Sequence, residues 1–315
     1  MQQVIKAPFS RTEERIWSIS ADVIIVCVVM LIQSFFNFGY SSVLIALVCT
    51  AVTVAVEFAA SKIAKIPLTL GDLSGVKSGL LLSMLLSPAS PLWFAALAGL
   101  TCGLIRAAYI KKSAMPVIPA ALAAGIISAV LPNIMFAYTA PAGLLSSVAG
   151  QSAVVSAKSS ARWLMEGSVS PYSTFELFLG IAPGPIGASA IALCMCGFIY
   201  LCLKRSVNVY AVAAFVVECA VVAGAFPRGD YSVIESIFYE LFSGSLIFCG
   251  VFFIGDKFTS PKHRVASMIY GVVAATLCIL TRYLGIYEQT AWFVVIVMCL
   301  CSPLLEYFIW KVFKA

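Results

Sequence analysis

Six ionisable side chains fall inside long apolar runs: Asp22, Glu57, Lys77, Arg106, Glu218 and Glu240. Charge in such surroundings is costly, so each is a candidate for an ion path or a buried pair. Glu218, in Val-Val-Glu-Cys-Ala-Val-Val, sits deepest. It reads as half of a structural pair with a cation in a neighbouring segment, and second as a station for a moving ion. Asp22, Glu57 and Arg106 lie close enough to expected helix ends to snorkel toward water. Asp72 and Asp256 stand at matching ends of two apolar runs and read as helix caps or salt-bridge anchors before they read as a cation site. The eleven cysteines lie mostly within apolar runs. Their close pairs, Cys194/Cys196 and Cys299/Cys301, lack zinc or thioredoxin-like spacing, so they read as small buried hydrophobes. The lone His263 belongs to the basic loop Pro261-Lys-His-Arg264. With no Gly-rich phosphate loop, metal-ligand set or nucleophile–base pair, the chain offers no soluble active site and no catalysis of its own.

The elements that hold these groups are set by composition. The 315 residues are 62% hydrophobic and 11% charged, which excludes a soluble domain of this length and predicts an all-α integral membrane protein. About 20 apolar residues cross the hydrocarbon layer. That ruler predicts about ten transmembrane segments in a single domain over 1–315: near 17–37, 41–61, 74–88, 91–110, 115–138, 174–203, 207–226, 236–254, 264–283 and 290–311. Residues 1–16 form a charged amphipathic leader, followed by an apolar run too long for a signal peptide's cleaved core, and 139–173 the one long loop. The net charge of +6 comes from basic residues at helix ends and does not indicate nucleic acid. With a cytoplasmic N-terminus, fourteen of the twenty Lys and Arg fall on inside loops and only Lys158, Arg162, Arg228 and Arg282 outside. This places both termini in the cytoplasm and the 139–173 loop outside, where its apolar content predicts an ordered loop against the membrane face.

One stretch cannot be a continuous helix. Gly180-Ile-Ala-Pro-Gly-Pro-Ile-Gly187 puts three glycines and two prolines in eight residues, between apolar runs. Proline lacks the amide donor and glycine costs backbone entropy, so a broken helix or a proline kink is expected here. Ser87-Pro-Ala-Ser-Pro91 interrupts the earlier half in a similar way, after a run short enough to be a half-helix. Paired interruptions predict a two-repeat, transporter-like fold with broken helices.

These stretches carry a resemblance. Leu177-Phe-Leu-Gly-Ile-Ala-Pro-Gly-Pro-Ile-Gly187, the run Ser243 to Asp256 followed by Thr259-Ser-Pro261, and Asp72 with Ser78-Gly-Leu-Leu-Leu82 and Pro88 occur at consistent spacing. Together they resemble the D subunit of Rnf-type ion-translocating electron-transport complexes, and more distantly the B subunit of the sodium-pumping NADH:quinone oxidoreductase. The resemblance implies FMN joined through a phosphoester to an outside-facing hydroxyl, which here matches Ser159. Beside it, Lys158 and Arg162 read first as ordinary outside-loop charges and second as phosphate partners, and Trp163 reads as an interface tryptophan or a ring-stacking side chain; a second, non-covalent flavin stays open. The chain departs from that pattern where the family's acid, glycine and alanine are Ala153, Ala157 and Lys158. The segment Ile110-Lys-Lys-Ser-Ala-Met-Pro-Val-Ile-Pro-Ala120 likewise keeps the family's prolines but not its glycines and asparagines.

The function so implied is a membrane component of a redox-driven, ion-translocating complex in the bacterial inner (cytoplasmic) membrane. It would pass electrons through flavin coupled to Na⁺ or H⁺ movement, with other membrane and peripheral subunits and lipid as its partners. Two readings stand beside it: a flavin-free scaffold within such a complex, and a small-solute transporter or channel.

Overall fold

In a computed structural model of the chain, the residues described are 16–65, 73–110, 117–141, 156–228, 231–285 and 287–314. The leader, apart from residue 16, and Asp72 lie outside them. Helix α1 (Ile16–Phe38) runs without glycine or proline and stops at Gly39, whose φ of 78° no longer fits a helix. Helix α2 (Tyr40–Ala64) follows, then the half-helix α3 (Ser74–Ser83), α4 (Leu92–Ile110), α5 (Pro119–Val130) and the single turn α6 (Pro132–Met135). A two-residue ladder, β1 (Tyr138–Thr139) with β2 (Ser156–Ala157), pairs the start of the long loop with its middle. Beyond it come the short helices α7 (Ser160–Met165) and α8 (Thr174–Leu179). The second half holds α9 (Ile191–Leu203), α10 (Val209–Ala225), α11 (Val233–Phe242), α12 (Leu246–Cys249) with a π turn at Gly250–Ile254, α13 (Arg264–Tyr283) and α14 (Ala291–Lys314).

Each of the ten expected spans holds at least one of these helices. Four helices are long and apolar enough to cross a membrane alone, from Trp17–Phe38, Tyr40–Ala64, Arg264–Tyr283 and Ala291–Lys311. The span expected as one piece over 236–254 is bent by 62° between α11 and α12. Ser243 and Ser245 flank a Gly244 with φ 67° there, so the helix cannot continue. The span expected over 115–138 is likewise two helices, because Pro132 cannot donate back into α5.

The two halves are built alike. In the first, α2 packs along α4, with Gly99 so close that an added Cβ would lie 2.4 Å from the Cys49 carbonyl. In the second, α10 packs along α13, with Gly271 equally close to the Ala211 carbonyl at 2.3 Å. Small residues at such crossings let helix backbones touch, which is how helices associate where lipid removes the hydrophobic driving force. Thr53 adds a hydrogen bond to the first crossing, its hydroxyl reaching the Gly99 carbonyl at 3.1 Å. Each pair then carries a short element on its flank: α3 sets Gly79 against Thr50, and the π turn sets Gly250 against Phe215.

Candidate functional site at the apposed helix breaks

A break in a membrane helix strands peptide groups that lipid cannot satisfy. Here the two breaks satisfy each other. The amides of Gly187 and Ala188 donate to the Met84 carbonyl at 3.0 and 3.2 Å, and the Ile186 amide donates to the Leu86 carbonyl at 2.9 Å. Helix α8 enters through a capping box, Ser173 with Glu176, and ends at Gly180 with φ 77°. The carbonyls left over at that end are taken by α1: Gln33 donates to Leu179 and Asn37 to Gly180, the latter at 3.0 Å. Ser87 caps the other break by donating to the Ala137 carbonyl. The broken stretch 182–188 is buried throughout.

Ser159 lies against this junction. It shares a crevice with Pro183, Ser189, Phe242, Gly244 and Gln289 whose free volume, about 10 Å³, takes roughly one water. Ser159 is the N-cap of α7: its Oγ accepts from the Arg162 amide at 3.2 Å and donates to Glu288 Oε2 at 2.7 Å. Both Ser159 and Glu288 are almost fully buried, at 2% and 3% exposure. Arg162 reaches Glu288 Oε1 and Glu166 Oε1, each at 3.3 Å, and Lys158 reaches Glu166 Oε2 at 2.8 Å. Lys158 also sits over the Trp163 ring, 5.0 Å from its centre. Burial pushes the Glu288 carboxyl above its ordinary value, outweighing the hydrogen bond from Ser159 and the charge of Arg162 that pull it down. The exposed Glu166 is held low by its hydrogen bond from Lys158 and then by Arg162.

Ser159, Lys158, Arg162 and Trp163 thus do come together, around two acids that the sequence alone does not assign to the site, Glu166 and Glu288. This arrangement does not fit a flavin phosphoester. The ester oxygen would be Ser159 Oγ, which is buried and already committed to a carboxylate. A phosphate there would stand beside Glu288, while the two cations meant to hold it are engaged by Glu166 and Glu288. Glu288 carries little sequence signal. It lies beside Gln289 between two apolar runs, and nothing local marks a partner so distant in the chain.

The opposite end carries the other ionic groups. Lys77 of α3 pairs with Asp256 beyond the π turn at 3.2 Å, joining the two halves. Arg106 grips Glu57 with two hydrogen bonds of 3.0 and 2.7 Å and also donates to Ser74 and Ser78. Glu57 and Arg106 therefore form a buried fork, where the sequence suggests two separately solvated ends. Between these pairs is a cavity of about 220 Å³ lined by Lys77, Arg106, Asp256, Ser20, Phe252 and Thr259. It falls below the ~300–1,000 Å³ usual for organic-ligand pockets, and its cations are paired. Asp22 accepts from Tyr200 and Ser206.

Glu240 of α11 and Glu218 of α10 also sit within helices. Glu240 is fully buried and pairs with Arg282 at 2.9 Å and Arg228 at 3.5 Å. Arg282 also binds the Ser243 hydroxyl and carbonyl, so this ion pair clamps the bend between α11 and α12. Glu218, half-buried in the middle of α10, has a different setting: its contact is the Thr276 hydroxyl of α13 at 3.3 Å. No cation reaches it among the described residues. A carboxylate at such depth costs about 2.5–3.5 kcal/mol on insertion scales.

These features define an all-α, multi-pass membrane protein built of two similar halves whose helix breaks meet. The chain belongs to the NQR2, RnfD, RnfE family, whose profile matches residues 3–314. It is 23% identical over 319 residues to the D subunit of the proton-translocating ferredoxin:NAD(+) oxidoreductase complex of Clostridium ljungdahlii, covering 97% of this chain and 93% of that one. It is 24% identical to the D subunit of the Na(+)-translocating ferredoxin:NAD(+) oxidoreductase complex of Acetobacterium woodii, with coverage of 97% and 92%. The B subunit of the Na(+)-translocating NADH-quinone reductase of Chlamydia abortus matches more narrowly, 24% identical across 44% of this chain and 30% of that one.

Proposed function

We propose that this chain is the D-type membrane component of an ion-translocating electron-transport complex, and that it serves that complex without a covalent flavin. The observation that carries the first half is collinearity: full-length similarity to the D subunits of such complexes, with the two helix breaks in place. A family member that had become an independent solute carrier would need a route between its halves. The junction of the breaks instead leaves room for about one water. The second half rests on Ser159, whose hydroxyl is buried against Glu288. The work left to the chain is to hold a rigid polar junction in the membrane and to present surfaces to its neighbours. Electron donor, acceptor and redox groups then come from the other membrane and peripheral subunits.

The proposed setting is a bacterial cytoplasmic membrane with both termini inside. The Lys77 end of the bundle also collects Lys62, Lys204, Arg205, Lys257 and Arg264 on its loops and helix ends, while the Ser159 end holds few cations. The test is mild-detergent purification from native membranes followed by in-gel flavin fluorescence of the denatured chain. Co-purifying subunits and a dark band are expected. A chain that purifies alone overturns the complex. A fluorescent band that vanishes in Ser159→Ala overturns the flavin-free assignment.

A further inference from the structure

Three other carboxylates within the described membrane helices have a partner suited to their charge or several hydrogen bonds, and Glu306 of α14 lies within two turns of the end of its apolar span. Glu57 has Arg106, Glu240 has Arg282 and Arg228, and Asp22 has two hydroxyls. Glu218 differs from these three, with the single hydroxyl of Thr276 at 3.3 Å. Its depth makes the difference matter. Helix α10 runs over Val209–Ala225, so Glu218 is roughly 13 Å from one end and 10 Å from the other, too deep for a short side chain to reach water.

The surface around it faces outward. Val217 and Val221 of α10 are 63% and 58% exposed, and Val272, Val273 and Leu280 of α13 are exposed alongside. Glu218 and Thr276 lie at the seam between these two apolar stripes. The inner faces of the same helices are taken up by the close packing at Gly271. An apolar surface alone would be lipid-facing and would need no explanation. A carboxylate set into it does, because lipid has nothing to offer it.

We infer that the seam between α10 and α13 at Glu218 is the docking face for a transmembrane helix of another protein in the complex, one that carries Lys or Arg at mid-span. The charge selects the partner: a basic side chain inside an apolar segment is as costly alone as Glu218 is, and pairing relieves both. Thr276 fixes the carboxylate in the seam, where an incoming helix packs against the valines on either side. This assignment rests on the complex proposed above.

The test uses the complex purified through a tag on this chain. A photo-cross-linking residue at Val221 is expected to capture a co-purifying subunit, with the cross-link mapping within about one helical turn of a Lys or Arg in one of its apolar segments. Glu218→Lys is expected to cut recovery of that partner tenfold or more. Reversing the mapped cation to Glu should then restore it. Subunits that co-purify while Val221 labels only lipid overturn the docking face, as does an intact complex with Glu218→Lys. The cross-link does not depend on the variant's folding. If no other protein accompanies the unaltered chain, the complex itself fails, which is a separate result.

Discussion

The amide of Gly187 donates to the carbonyl of Met84 at 3.0 Å, and through that bond two helix breaks from different halves of the chain become one polar core. The approach is possible because residue 187 has no side chain. A Cβ there would lie 2.2 Å from the Met84 sulfur and 3.0 Å from its Cγ. Met84 is fully buried and cannot swing into lipid. Gly187→Ala is therefore expected to lower stability by about 1–3 kcal/mol, the usual cost of overpacking. Met84→Ala in the same chain should recover part of that loss. Thermal unfolding in detergent, followed by size-exclusion fluorescence, reads the coupling. Additive effects would show that the breaks do not touch.

The Arg282–Glu240 pair holds the second bend, with the carboxylate fully buried and the guanidinium 4% exposed. Removing Arg282 leaves the buried Glu240 with only the longer contact to Arg228, at 3.5 Å, a loss approaching the roughly 3–5 kcal/mol of a broken buried pair. Arg282→Ala should thus be among the most damaging single changes in the chain, seen as little folded protein recovered from membranes. Arg282→Ala with Glu240→Gln should recover better than Arg282→Ala alone. Equal recovery of all three would mean that the pair does not clamp the bend.

Much of this architecture is legible in the sequence because hydropathy and helix breaking act locally. The apolar runs, the break at Gly180–Gly187 and the half-helix before Ser87 follow from residue types alone. Pairings across the fold are not legible. Ser159 stands out in the sequence for its hydroxyl, yet what decides its chemistry is Glu288, brought to it only when α14 packs home. Arg106 and Glu57 read as two isolated ends because nothing local shows α2 lying along α4. The bend at Gly244 passes as a continuous span because one glycine between serines is a weak breaker, tipped by the hydrogen bonds of Arg282.

Glu288 gives the Ser159 site a pH dependence of known sign. Its carboxyl is raised in the folded chain, mainly by burial. The folded state then binds more protons than the unfolded one once pH exceeds the ordinary carboxylate value, about 4.3. The stability it contributes is fully present below that pH and is lost as pH rises through the raised value. Glu288→Gln cannot ionise and lacks this loss. The melting temperature of Glu288→Gln relative to wild type should therefore climb as pH rises above the ordinary carboxylate value, about 4.3. A difference that stays flat would mean that Glu288 is solvated in the folded chain.

The Lys77–Asp256 bond is the ionic contact between the two halves at the opposite end, its members only 13% and 12% exposed. Asp256 is further fixed by the Phe258 amide at 3.1 Å, and Lys77 rests over the Phe258 ring at 5.3 Å. A pair so placed is neither freely solvated nor fully desolvated. Its coupling should fall within the 0.5–3 kcal/mol found for contacting residues, at roughly 1–2 kcal/mol. Lys77→Ala and Asp256→Ala are each expected to destabilise, with the double variant losing less than their sum. The charge-swapped chain, Lys77→Asp with Asp256→Lys, should recover only partly, because the Phe258 amide donates to a carboxylate and not to an ammonium. Thermal unfolding of the four chains in one detergent gives the cycle. A coupling indistinguishable from zero would mean that the halves are held together by the apposed breaks and apolar packing alone.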